Sequence, residues 1–356
     1  MALTAAQSTI VAKARSVGGG AIGVALSEEV CSYLVAVIIR DLGLEGEFSD
    51  PLPDVLPFFS THPLSGLVLP DTPFLPLFEK LVSLVPDAAS YFGCLATLHK
   101  ARLKYEAILR TQPIPTIDQV GPRSLLQYGT LTPKGLADFL LWRKWIYDID
   151  NRAAQETGYV FEPIIAASIG GTPVSASKSP IKRSSDPRKG RQVDCIRPDL
   201  KAYEVKLRVT IAASGQGRWS EELDFPGDCK ASGHIPVLVV LDPTPNTKLS
   251  ELSRAFQENG GEVYVGDDAW QHFNSLAGVV MSRFLETYVH EPINSLLQAM
   301  PANGDELPEL VLKMTAQELY VAVDGETLVT ERSLTQAAED ANDALPEDVD
   351  EVLSGL

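Results

Sequence analysis

Cysteine pairing motifs are missing from this 356-residue sequence: Cys31, Cys94, Cys195 and Cys229 are scattered and no CxxC occurs. The five histidines form no HExxH and no Cys/His ligand spacing, so zinc chemistry has no sequence support. A secretory leader is also missing. The most apolar early run, YLVAVII at 33–39, is closed by Arg40 and preceded by Glu28 and Glu29, which reads as a buried helix and not a membrane span. A reduced, cytoplasmic setting with no membrane partner is expected. Internal repeats are absent too, which argues against a solenoid.

What is present is an ordinary globular composition, 45% apolar, long enough for one large domain or two smaller ones. The net charge of −17 looks hostile to nucleic acid, yet it is unevenly spread. Residues 302–356 hold 14 acids against Lys313 and Arg332, or −12. Residues 178–218 hold 11 Lys and Arg against Asp186, Asp194, Asp199 and Glu204, or +7. Such a local patch can bind phosphates whatever the total charge. A solvated loop is the ordinary alternative.

Periodicity divides the chain into an N-terminal helical region over 1–131, an α/β core over 132–300 and an acidic tail over 301–356. A Ser cap with acids in the first turn opens SEEVCSYLVAVIIRDLG. Seven prolines in 51–78 imply an extended, packed connector. A Thr-Pro signal at Thr132 starts a helix predicted to end at Gly158, with Trp142, Trp145, Ile146 and Ile149 on one face, and a shorter helical piece carries Glu162. The basic segment SASKSPIKRSSDPRKGR reads as a loop that is mobile unless bound. Two strands, QVDCI and AYEVKLRVT, form a hairpin; the apolar HIPVLVVLDP is a strand buried on both faces. The expected class is α/β, with a mixed sheet covered by helices and an added N-terminal helical region.

Within AYEVKLRVT, period two puts Tyr203, Val205, Leu207 and Val209 on one face and Glu204, Lys206 and Arg208 on the other. The hairpin can bring Asp194 to Glu204 and Lys206. Two nearby carboxylates repel unless a cation lies between them, and hard oxygen donors without Cys or His suit Mg²⁺. The lysine could orient or deprotonate a water. The bare [DE]xK triplet occurs three times, at Asp199, Glu204 and Asp228. Only Glu204-Val205-Lys206 sits mid-strand beside an acid-bearing strand.

These features, with a helical acid upstream, resemble the PD-(D/E)XK nuclease superfamily, and within it the type II restriction endonucleases, with an ApaLI-like enzyme as the narrower likeness. The resemblance spans roughly 135–275. It implies a mixed-sheet nuclease core and metal-dependent, site-specific cleavage of double-stranded DNA. Carried over, Asp194 and Glu204 are metal ligands with the Val205 carbonyl as a third, Lys206 is the catalytic lysine and Glu162 the helix acid, with Glu156 as its competitor. Pro198-Asp199 matches the family's Pro-Asp pair literally but lies only five residues before Glu204, so Asp194 is preferred. A homodimer is implied by analogy.

Lys178, Lys182, Arg183, Arg188, Lys189 and Arg191 are candidates to hold phosphates, and Arg208 and Arg218 to contact DNA. The bland readings are ion pairs for Arg208, a packing anchor for Trp219, and structural roles for His234 and His272. A repair or structure-specific nuclease of the same fold, and a catalytically silent DNA-binding relative, are the alternatives.

Overall fold

The computed structural model describes residues 3–17, 23–48, 51–116, 118, 121–207, 216–299 and 308–333, apart from the side chains of 122–123 and 216–218. Arg208 and the last 23 residues therefore lie outside the described set, as does the Arg218 side chain.

The N-terminal region is helical as read: α1 (Ala5–Arg15), α2 (Glu28–Asp41), α3 (Phe74–Leu84) and α4 (Ala88–Thr111). Ser27 caps α2 through its side chain, which accepts from Val30 N–H, and the whole stretch Cys31–Ile39 is buried. Pro86 separates α3 from α4. Asp41, at the end of α2, accepts hydrogen bonds from Tyr91 on α4 (3.0 Å) and from Tyr288 near the far end of the chain.

Helix α5 departs from expectation. It runs unbroken from Pro133 to Ser168, through both Gly158 and Pro163. A glycine costs only about 1 kcal/mol in a helix. Packing on either side overrides that cost: Trp145 and Ile149 are buried before it, and Ile164, Ile165 and Ala166 after it. Thr132 caps the start as read, but Ile146 is 42% exposed and does not join Trp145 and Ile149.

The core sheet has five strands: β1 (Thr172–Val174), β4 (Val193–Ile196), β5 (Lys201–Lys206), β6 (Ile235–Val240) and β7 (Glu262–Val265), in the order β1-β4-β5-β6-β7. β1, β4 and β5 are antiparallel neighbours; β5, β6 and β7 run parallel. The parallel steps cross over through α6 (Gln216–Ala231) and α7 (Thr247–Glu258). One face, with Cys195, Tyr203, Val205, Val237 and Val239, joins a core that includes α5, α8 (Asp267–Leu285) and the N-terminal helices. The other face, with Val193, Ala202, Leu238 and Val240, packs on Phe225, Cys229, Leu252 and Phe256 of α6 and α7. Both faces of β6 are thus covered, which explains its continuous apolar run.

One further sequence expectation is corrected. The basic segment is not a bare loop but a hairpin of β2 (Lys182–Arg183) and β3 (Asp186–Gly190). Gly190 lets β3 lie against the preceding segment, since any Cβ there would lie 2.0 Å from the Ala176 carbonyl oxygen. The acidic tail, too, is structured in part. β8 (Leu310–Met314), β9 (Glu318–Val323) and β10 (Glu326–Glu331) form an antiparallel sheet whose Leu319 packs on Trp145 and Ile149. Arg332 donates to the Gln112 carbonyl (2.5 Å) to hold it there. No helix among the described residues is long and apolar enough to cross a membrane.

Candidate active site

The β4–β5 ladder is regular at Cys195–Tyr203 and Ile196–Ala202. On its other side β4 carries two residues, Asp194 and Cys195, opposite the single Pro173 of β1. This bulge puts Val193 and Cys195 on opposite faces of the sheet, and bulges commonly re-aim a side chain beside an active site. Asp194 is 9% exposed, and its Oδ2 accepts the Val205 N–H at 2.8 Å. A carboxylate thus substitutes for a ladder carbonyl at the point where β5 delivers Glu204 and Lys206.

Lys206 lies 3.0 Å from Glu204 Oε1 and 3.5 Å from Glu222 Oε1. Burial alone would lower its pKa, but Glu204 and Glu222 outweigh burial and hold it above the usual lysine value. The two carboxylates hold the amine in its charged form, which suits it to stabilising phosphate oxygens.

Carboxylates gather around this ammonium. Burial raises Asp194 well above the ordinary range, and the charges of Glu204 and Glu162 push it further. Glu162 is raised to about 7, first by burial and then by Glu204, with Lys206 opposing. Helix α5 therefore brings Glu162, and not Glu156, into the field of the site: Glu156 pairs with Lys104 at 3.5 Å. Asp199 is exposed in the turn, 3.5 Å from Arg197, and is not part of the cluster.

Three mutually repelling acids in hard-oxygen surroundings match a divalent cation held by one or two carboxylates, waters and a substrate phosphate. They are not a preformed cage: among the described residues no three His, Cys, Asp or Glu side chains are grouped to hold a metal ion by themselves. The fit is to a site completed by substrate.

The basic candidates divide. Lys178, Lys182, Arg188 and Lys189 are exposed, Arg188 being paired with Asp186 at 2.9 Å. Arg183 bridges to Glu221 at 2.7 Å. Arg191 departs most from the reading: it is 6% exposed and bound to the buried Asp228 at 2.5 Å, so it anchors the hairpin to α6. Asp228 also receives the Ser184 N–H and hydroxyl. A cavity of about 440 Å³ beside this pair is lined by none of the catalytic candidates. Trp219 packs on the second core with Lys248 over its ring, and His272 stacks on Tyr264. Both side chains make packing contacts of the kind their plain readings expect.

The residue that sequence reading missed is Glu222. Its signal was an acid three residues from both Trp219 and Phe225, on the edge of a helix face that is otherwise apolar.

The family model for ApaLI-like restriction endonucleases matches residues 77–290. The chain belongs to that family. A type II restriction enzyme ApaLI from Acetobacter pasteurianus is 44% identical over 334 residues, covering 87% of this chain and 89% of the relative. No solved structure matches. The ApaLI-like match begins within α3 and ends at His290, so it takes in α4, all of α5 and the whole core sheet. Type II restriction enzymes generally need a divalent metal, which suits the carboxylate cluster.

Proposed function

We propose that this chain is a type II restriction endonuclease that hydrolyses phosphodiester bonds at a specific site in double-stranded DNA, with Mg²⁺ held by Asp194 and Glu204 and by the Val205 carbonyl. The observation that carries the reading is the bulge-set Asp194 of β4, bonded to Val205 N–H between Glu204 and Lys206, which are themselves paired at 3.0 Å. When bound, Mg²⁺ would neutralise the acids, withdraw charge from the scissile phosphate and make a water more acidic.

The chain's own residues do the rest. Lys206 offers a permanent positive charge to the phosphate, and charge that is already in place when the transition state forms is the most effective kind. Glu162 of α5, the helix acid, lies in the field of Glu204 and Lys206 and would help hold the metal or its water. Lys182, Arg188 and Lys189 on the hairpin hold backbone phosphates, while Arg183 keeps its tie to Glu221; Arg208 and Arg218, which follow β5 in the sequence, add positive charge. One such centre among the described residues and two strands to cut support a homodimer.

The test is a digest of long mixed-sequence duplex DNA at about 100 mM salt with Mg²⁺, beside EDTA and Lys206→Ala lanes. Discrete fragments made only by the wild-type protein with Mg²⁺ are expected. Uncut DNA in every lane would refute the assignment and favour a silent or structure-specific relative.

A further inference from the structure

Helix α6 lies against the sheet face that carries Ala202, and hence Glu204 and Lys206 by strand alternation. Trp219, Leu223, Phe225 and Cys229 supply its apolar contacts. Glu222 sits among them with only 24% of its side chain exposed. A carboxylate in such a place is costly unless it has a partner, and the partner is Lys206 at 3.5 Å.

As a stabilising device this contact is one more than needed. Lys206 already has Glu204 at 3.0 Å, with both side chains about four-fifths buried. A second acid on the same ammonium gives the trio a net negative charge in a half-dry setting, where repulsion between the carboxylates offsets the added attraction. The excess has a use if Glu204 must also serve a cation, because the lysine then needs an anchor that is not a ligand.

We propose that Glu222 is a positioning residue, which holds the Lys206 ammonium from α6 so that the amine keeps its place while Glu204 is engaged by the metal. The inference rests on the reading of Lys206 as the catalytic lysine. The position of Glu222 is itself fixed. α6 is tied to the basic hairpin by Glu221 to Arg183 (2.7 Å) and by Asp228 to Arg191 (2.5 Å). The helix thus relates the lysine to the surface that meets DNA phosphates.

The experiment compares wild type, Glu222→Gln, Glu222→Asp and Lys206→Ala on one duplex with a mapped cut site. It measures single-turnover cleavage with Mg²⁺, DNA affinity in EDTA, and Tm. Glu222→Gln should slow cleavage roughly 10- to 100-fold, as expected for a misplaced catalytic group. Its DNA affinity should stay within about 2-fold, since only transition-state contacts are lost. Glu222→Asp, which keeps the charge, should regain part of the rate, and neither variant should unfold. Wild-type cleavage by Glu222→Gln beside an inactive Lys206→Ala would overturn this inference and leave the nuclease assignment standing. A parallel fall in Tm and DNA affinity in both Glu222 variants would also overturn it. Cleavage by Lys206→Ala would instead overturn the reading of the lysine on which it rests.

Discussion

Asp194 Oδ2 accepts its hydrogen bond from the backbone N–H of Val205, the residue between Glu204 and Lys206. The site's most buried acid is thereby fastened to the middle of its own motif. The strand cannot shift along β4 without losing the contact, so the carboxylate and the lysine keep one register.

This bond sets opposite signs for stability and activity in Asp194→Asn. The amide oxygen can still accept from Val205, while the charge that burial, Glu204 and Glu162 disfavour is gone. In EDTA at pH 8 the variant should melt at a higher temperature than wild type, and it should lose Mg²⁺-dependent cleavage. Thermal melts and the plasmid digest check both halves; a lower melting point would contradict the repulsion described.

Glu162 predicts a pH dependence. Its pKa rises from 4.5 to about 7 on folding, so its contribution is fully present below pH 4.5 and is lost as pH climbs through 7. A shift of that size corresponds to about 3 kcal/mol, shared with the neighbouring acids. The metal-free protein should therefore lose thermal stability between pH 5 and 8, and Glu162→Gln should flatten the curve. Mg²⁺ should flatten it in wild type as well, since a cation favours the charged carboxylates.

Asp228 is 1% exposed and the Arg191 side chain 7%. Removing one partner of a buried pair leaves the other charge uncompensated, at a cost of about 3–5 kcal/mol. Asp228→Ala should lower the melting temperature, free the hairpin from α6 and weaken DNA binding. Replacing both residues by apolar ones should restore most of the stability, but not the DNA binding if hairpin placement is what matters. Denaturant melts and a filter-binding assay would separate the two effects.

Residues 334–356 carry seven acids and no Lys or Arg. If they compete with DNA for the basic hairpin, deletion should tighten nonspecific binding at low salt, with the difference fading as salt rises. Titration of a random duplex at two ionic strengths measures this; equal affinity would remove the idea.

The sequence revealed most where local pattern and burial agree. The alternation over Lys201–Lys206, the apolar run of β6 and the Ser27 cap each specify one structure, whereas Leu207, read as the next core-face residue, lies past the strand end and is 38% exposed. Helix α5 was misread at Gly158 because local propensity was outvoted by Trp145 on one side and Ile165 on the other, contacts made with elements far along the chain. The bulge at Asp194 left no pattern of its own, yet it sets where that carboxylate meets the Val205 N–H of β5. Glu222 was legible only as a polar residue out of place on an apolar face, and its meaning required knowing that α6 lies over Lys206.

Asp41 holds the hydroxyls of Tyr91 and Tyr288, the latter 247 positions away. Excising everything before Thr132 would remove Asp41 and Tyr91 together, strip the Tyr288 phenol of its acceptor and bare Phe284 and Tyr288, which pack against Tyr91 of α4. The helical region and one face of the catalytic sheet share a single hydrophobic core, so a cut at that boundary should expose the support of the strand that carries Glu204 and Lys206.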